Sequence, residues 1–330
     1  MEFALSDEQS ELAATVRSLL EKRADSAAVR AASTSPSGHD EALWATLCEQ
    51  IGVAALAVPE EYDGVGATFF ETAVVLEELG RSLAPSPLLA TTVATEALLA
   101  GGTEDAKQRL LPRIAAGEVA TLALGAAPVL DGDRADIVLA VFGDELVEVE
   151  GATATWTETM DQSLRLARLD MTAASTQPLG DGTSAARRAE LVGAASVAAL
   201  AVGLTDRALR MTVDYSKERV QFGRPIGSFQ ALKHRMADVF ARTELARSAS
   251  WAASYALADE AVDADEAAFQ VHAAASYAIE TARLAASECV QLHGGIAITW
   301  EHDAHLVFKR AHALGHLFGS PERHRAAVTL

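Results

Sequence analysis

The stretch Tyr215-Ser216-Lys217-Glu218-Arg219-Val220-Gln221-Phe222-Gly223-Arg224-Pro225-Ile226-Gly227-Ser228-Phe229-Gln230 decides how the chain is read. It leaves a long apolar-striped segment, makes a Gly/Pro turn and enters the next helical segment at Ser228. An arginine, an aromatic ring and an amide meet at this helix junction. Arg219 suits a pyrophosphate, which a guanidinium holds by paired charge-assisted hydrogen bonds. Phe222 can stack on a ring and Gln230 can read its edge, with Gln221 between them completing the candidate set. An ordinary inter-helix turn with a solvated arginine has the same spacing, and these residues alone leave both readings open.

On either side the texture is helical. Ser184 to about Lys217 carries an apolar stripe through Leu191, Val197, Leu200, Leu204, Leu209 and Val213. Ser228–Asp259 and Asp263–Leu292 follow as long helices with small-residue faces, and their alanines favour close antiparallel packing in a bundle. The last of them runs into Gln291-Leu292-His293-Gly294-Gly295-Ile296-Ala297. Paired glycines there are either a helix C-cap or a place where phosphates approach backbone amides.

Upstream, explicit helix signals fill the first 118 residues. Ser6-x-x-Gln9 is a capping box ahead of Leu12, Val16, Leu19 and Leu20, and Thr68-x-x-Glu71 opens a helix that Gly80 should close. Ser86-Pro87 starts another that Gly101-Gly102 ends, and a turn-rich loop, Val58 to Gly66, lies earlier. In the middle, Ile137–Phe142, Gly143-Asp144 and Glu145–Glu150 read as a β-hairpin whose second strand alternates. Weak strand signals continue to about Gln177, and Pro178 to Ser184 reads as a linker.

Composition narrows the function classes. The 330 residues are half apolar and 22% charged, the balance of a globular protein with a large core. Acids outnumber bases 46 to 27, and a formal charge of −19 argues against nucleic acid or an anionic membrane as partner. Met1 to Glu8 lacks a basic region before an apolar run, and the uncharged stretch Leu191–Thr205 is shorter than the roughly 20 residues of a membrane span. Cys48 and Cys289 read as buried core residues, so a cytoplasmic location is expected. His312 and His316 at i,i+4, with His302 and His305 nearby, allow a zinc reading, and His39-Asp40 with His302-Asp303 faintly suggest a metal phosphohydrolase. Surface histidines are the simpler account, and no metal is expected.

Taken together, the two C-terminal stretches resemble the acyl-CoA dehydrogenase family. Arg219, Phe222, Gly223, Pro225, Ile226 and Gln230 match its Arg-x-x-Phe-Gly-x-Pro-Ile-x-x-x-Gln pattern, and Gln291, Gly294 and Gly295 match Gln-x-x-Gly-Gly. Val58–Gly66 and Gly102–Pro112 agree with the N-terminal half, so the resemblance covers about residues 1–120 and 184–330. It implies a mainly α protein with a small β insertion: an N-terminal helical domain (1–118), a reduced middle β-domain (119–183) and a C-terminal four-helix bundle (184–330). It also implies an FAD shared across a subunit interface, with Arg219, Gln221, Phe222, Gln230, Gln291, Gly294 and Gly295 holding its adenine and pyrophosphate half, and an α,β-unsaturated acyl-CoA as product.

The departures from that pattern are specific. Leu122 to Asp131 stands where the family carries a Thr-Glu-Pro-x-Ala-Gly-Ser-Asp-like loop for the flavin ring, and the middle domain has about half its usual length. Removing the α-proton of a thioester needs a carboxylate. A gap-free count puts Phe318 at one family position for that base and Gly193 at the other, leaving Glu190, one turn away, as a weak candidate. The expectation is therefore the short subunit of a heteromeric (α2β2) acyl-CoA dehydrogenase, resembling those of actinobacterial complexes that act on steroid-derived thioesters. Its larger partner would supply the base and the flavin-ring site. A self-sufficient enzyme using Glu190 and a non-catalytic scaffold remain as alternatives.

Overall fold

The computed structural model describes residues 4–125 and 127–328; Met1–Phe3, part of the stretch read for a leader, and Ala126, within Leu122–Asp131, lie outside the described residues. The N-terminal helices form where their caps predict. Ser6 and Gln9 satisfy each other's backbone amides at the start of α1 (Asp7–Arg23), and Val16 and Leu20 face the core. Asp25 and Asp40 cap α2 (Ser26–Thr34) and α3 (Glu41–Thr46), so the Asp40 of the His-Asp doublet is occupied as a cap. A π-turn, Leu47–Ile51, leads to the Val58–Gly66 loop, where a Cβ on Gly64 would fall 1.9 Å from the Val58 carbonyl oxygen.

The Thr68/Glu71 box opens α4 (Phe69–Ser82), but Gly80 does not close it; Leu83 takes the left-handed turn at φ 62°. Gly80 is spent on packing, since its Cβ would lie 2.2 Å from the Leu200 carbonyl oxygen. Next come α5 (Leu88–Gly101), whose first amide donates to Ser86 Oγ, and α6 (Glu104–Ala115).

Seven strands follow: β1 (Ala120–Leu124), β2 (Val129–Leu130), β3 (Ile137–Phe142), β4 (Glu145–Glu150), β5 (Thr153–Thr157), β6 (Leu166–Asp170) and β7 (Ser175–Asp181). They make a four-stranded sheet ordered β1-β3-β4-β7 and a three-stranded one ordered β2-β6-β5. The β3–β4 hairpin turns at Gly143-Asp144 as expected, pairing Phe142 with Glu145. Two expectations fail here. β4 is buried on both faces from Leu146 to Val149, because Glu148 ion-pairs with Arg109 of α6 at 2.6 Å. The supposed linker Pro178–Ser184 is the end of β7 and the start of a helix; Pro178 is tolerated because β7 is an edge strand. Leu122, Ile137, Leu139, Leu146 and Leu179 join the same continuous core as the helices, which is how so small a β-region is stabilised.

The C-terminal helices are α7 (Gly182–Glu218), α8 (Gln230–Ala258), α9 (Ala264–His293), α10 (Ala304–Leu314) and α11 (Pro321–Ala327). In α7 every residue from Val192 to Thr205 is buried, so a single apolar stripe understates it. It runs through the centre of the molecule, flanked by α4, α5, α8, α9 and α10. By length and composition α7 is the one helix among the described residues that would cross a membrane, yet most of its apolar window is buried inside the protein.

Candidate functional site

Because α7 and α9 run parallel and α8 returns between them, the end of α7, the start of α8 and the end of α9 share one end of the bundle. Tyr215 stacks on His293 at 4.4 Å, and Arg235 of α8 ion-pairs with Glu288 of α9. The residues read from the sequence as a cradle thus lie on neighbouring segments.

The expected direct entry into a helix at Ser228 is replaced by a small hairpin, β8 (Val220–Gln221) and β9 (Arg224–Pro225), and the helix starts at Gln230. Phe222 and Gly223 form its tip with φ of 54° and 77°, the positive-φ pair of a tight two-residue turn. A phenylalanine is strained there and is 92% exposed, its ring edge-on to Phe229 with centroids 6.1 Å apart. A positive φ at a non-glycine residue costs free energy, which the hairpin around it must hold.

Arg219 is exposed beside it, and among the described residues its guanidinium has no ion-pair or hydrogen-bond partner. Gln221 turns its amide back on the Val220 carbonyl at 2.8 Å, while exposed Gln230 pairs with His234 at 2.8 Å. Gln291 is exposed. Gly294 ends α9 at φ 64°, and a Cβ on Gly294 or Gly295 would meet nothing of this chain within 4 Å. The chain's own packing therefore does not demand Gly295.

Two neighbours were not singled out by the sequence reading. Arg224, in the variable position of the motif, lies over the Phe229 ring at 4.1 Å. His293 is buried between Tyr215 and His302, and its Nδ1 faces the Cys289 carbonyl at 2.7 Å, so that nitrogen carries the hydrogen. Burial foremost holds the His293 imidazole below its usual pKa.

A separate cavity of about 400 Å³ opens where the β1–β2 segment meets α5, α7 and the His316–Ser320 loop. Its walls are mostly apolar, with Val93, Leu122, Leu130 and Phe318 among them; its ionisable side chains are Glu190, His316 and Arg323. Phe318 and Gly193, read as the two alternative positions of the base, lie against each other. A Cβ on Gly193 would fall 2.3 Å from the Phe318 ring. Glu190 stands on the cavity wall, more than half exposed, 3.8 Å from Arg323. Beneath Gly319, burial first and then His272 and Arg323 push His324 down to about 4, so it is neutral and meets His272 at 3.0 Å.

The histidine pair read as sharing a helix face does not: α10 ends at Leu314, leaving His316 in the following turn while His312 packs on Phe308. Among the described residues no three His, Cys, Asp or Glu side chains converge as metal ligands. Asp303 of the second doublet is held by Ser26, Arg30 and Arg207.

Comparison with known proteins agrees with this fold. Residues 6–118 match the family model described as acyl-CoA dehydrogenase, N-terminal domain, and residues 180–329 match acyl-CoA dehydrogenase, C-terminal domain. The chain is 46% identical over 316 residues to acyl-CoA dehydrogenase IpdE2 of Mycobacterium tuberculosis, covering 96% of this chain and 94% of that one. It is 36% identical to acyl-CoA dehydrogenase FadE34 of the same organism, covering 84% of this chain but 40% of that longer one. Among solved structures, the Tcur3481-Tcur3483 steroid ACAD superimposes with a TM-score of 0.86 at 28% identity, covering 98% and 96% of the two chains. The ChsE4-ChsE5 complex from Mycobacterium tuberculosis shares the fold, with a TM-score of 0.88 at 23% identity over 99% and 98%. By sequence, fold and both domain matches, the chain belongs to the acyl-CoA dehydrogenase family.

Proposed function

We propose that this chain is the short subunit of a heteromeric, FAD-dependent acyl-CoA dehydrogenase that desaturates an acyl-CoA thioester between its α and β carbons. The observation that carries this reading is the packing of Phe318 on Gly193. Neither position holds a carboxylate, and neither side chain takes a proton. Within this subunit the α-proton lacks its usual acceptor, so a larger partner supplies the base.

The opposite end of the bundle suits the far half of an FAD. Unpaired Arg219 meets a pyrophosphate by charge-assisted hydrogen bonds, exposed Phe222 offers a stacking face, and Gln230 and Gln291 offer amides. The open space around Gly294 and Gly295 lets phosphates approach the backbone. These residues would hold that half of a flavin, which when bound would supply the hydride acceptor for the β-carbon. The region facing the 400 Å³ cavity offers little for the ring itself, since Leu122, Leu124, Val129 and Leu130 line it and the hydroxyl of Thr121 is bound to the Leu130 carbonyl at 2.6 Å.

Three units divide this work: residues 1–118, a contracted 119–183 and 184–330. An α2β2 assembly follows the likeness to a two-component complex, and FadE34, with 60% of its length beyond the matched region, has room for a second unit on one chain. A bulky, steroid-type acyl group is favoured by the likeness to a steroid ACAD. A reducing, cytoplasmic setting suits two buried cysteines whose thiols burial pushes up to about 12 and about 11.

The test begins with the visible spectrum of the chain purified alone, which should show no flavin, and of the chain co-expressed with its longer partner, which should be yellow. Arg219→Ala should then strip flavin from the complex; unchanged flavin content sinks the cradle. A second reading, the self-sufficient enzyme, is favoured by Glu190 on the cavity wall. Turnover by the isolated chain, abolished by Glu190→Gln, would establish it instead. A pure scaffold has no use for the cradle and should tolerate Arg219→Ala with neither flavin nor activity at stake.

A further inference from the structure

On the side of the molecule formed by α2, the Met160–Ser163 loop and α10 lies another cavity, of about 340 Å³. That is within the roughly 300–1,000 Å³ of small-molecule sites. It shares no lining residue with the cavity at Phe318. Val29, Leu83 and Leu306 make its floor apolar, and Met160 and Trp300 rise at its edge, 51% and 70% exposed. Together with the floor they make one continuous apolar rim, the kind of patch that marks an interaction site when contiguous.

One wall is fixed by a buried ion pair. Arg310 and Asp161 are both almost wholly buried; Arg310 Nε donates to Asp161 Oδ2 at 2.7 Å, and Nη2 donates to the Ser163 carbonyl at 3.1 Å and its Oγ at 2.6 Å. This clamp holds the Met160–Ser163 loop to α10 across about 150 residues of sequence.

The local charge has one sign left over. Asp303 is shared by Arg30 at 2.8 Å and Arg207 at 2.9 Å, and Asp161 pairs with Arg310. His305 stands edge-on to Trp300 at 4.8 Å; burial first, then Arg30 and Lys309, hold it below its usual pKa. Lys309 remains, its ammonium 4.6 Å from the centre of the Trp300 ring, with no carboxylate in ion-pair reach among the described residues. In a chain of net charge −19, an unmatched cation on an exposed indole beside an apolar hollow is a selective arrangement.

We propose that this cavity is a second ligand site, for a compact ring-bearing organic anion, separate from the flavin cradle and from the cavity at Phe318. The ring lies in the hollow against Trp300 and Met160, and the anionic group meets Lys309.

The probe is anilinonaphthalenesulfonate, titrated by fluorescence against the full-length chain with whatever subunit purifies alongside it. One saturable site per chain is expected. Trp300→Ala should weaken it about tenfold and Trp300→Phe much less, as loss of a stacking face predicts. Displacement by naphthoate should exceed displacement by neutral naphthalenemethanol about fivefold, and Lys309→Gln should erase that preference. Circular dichroism melts confirm that each variant is folded, and Arg219→Ala should leave probe binding unchanged. Equal affinity in wild type, Trp300→Ala and Lys309→Gln, or binding that never saturates, overturns the proposal.

Discussion

Phe318 and Gly193 stand 125 positions apart, and each fits only because of what the other is. The ring occupies the space a Cβ on residue 193 would need, 2.3 Å away, while Phe318 itself takes a left-handed φ of 54°. Gly193→Ala is therefore expected to destabilise the chain by about 1–3 kcal/mol in urea unfolding, although alanine gains up to ~1 kcal/mol over glycine inside a helix. In a Phe318→Ala background the same change should become neutral or stabilising. Destabilisation of equal size in both backgrounds would mean that Phe318 is not what Gly193 accommodates. The sequence placed both residues at positions where a base is missing, Phe318 by a gap-free count from Gly294-Gly295 and Gly193 by one in the long helix before Arg219. That they meet was invisible in it, because no local signal joins a mid-helix glycine to an aromatic in a distant loop.

At the scale of elements, the crossing of α4 and α7 shows how the molecule is tied together. Backbones approach at two glycines: Gly80 against Leu200, and Gly203, whose Cβ would lie 1.9 Å from the Glu77 carbonyl oxygen. Around the crossing, buried Glu77 and Glu78 and Asp206 of α7 pair with Arg17, Arg81 and Arg247, so opposite charges from α1, α4, α7 and α8 meet there. Gly203→Ala is expected to cost about 3 kcal/mol, read as a lowered Tm, because backbone cannot give way as a side-chain end can. A Tm within a degree of wild type would refute the close-contact account. Capping boxes and the Gly143-Asp144 turn were legible because their physics is local. Gly80 was misread for a related reason: a glycine near a helix end looks the same whether it caps the helix or admits a neighbour. Pro178 read as linker because edge-strand pairing, which tolerates a missing donor, is decided by sheet order.

Across the whole molecule, Asp303 is a junction between the N-terminal helices and the bundle. Its carboxylate takes hydrogen bonds from Ser26 and Arg30 of α2 and from Arg207 of α7. Burial pushes its pKa up, but the Ser26 hydroxyl and the two arginines outweigh burial and hold it below the usual carboxylate value. A depressed folded pKa contributes stability above the unfolded value of about 4, and that stability is lost as pH falls through the folded pKa. Asp303→Asn should cost about 3 kcal/mol at pH 7 and flatten the loss of stability below about pH 4. An acid limb as steep as wild type's would show that other carboxylates govern it. By itself the sequence determined the helical character of both ends, the β3–β4 hairpin, the family and the candidate cradle, because caps, periodicity and short motifs act between near neighbours. The tertiary structure alone decided that α7 is buried on all sides from Val192 to Thr205, that the small β-region shares the helices' core, that Phe318 fills Gly193, and that Trp300 and Lys309 rim a hollow, because each depends on surfaces meeting across a hundred or more residues.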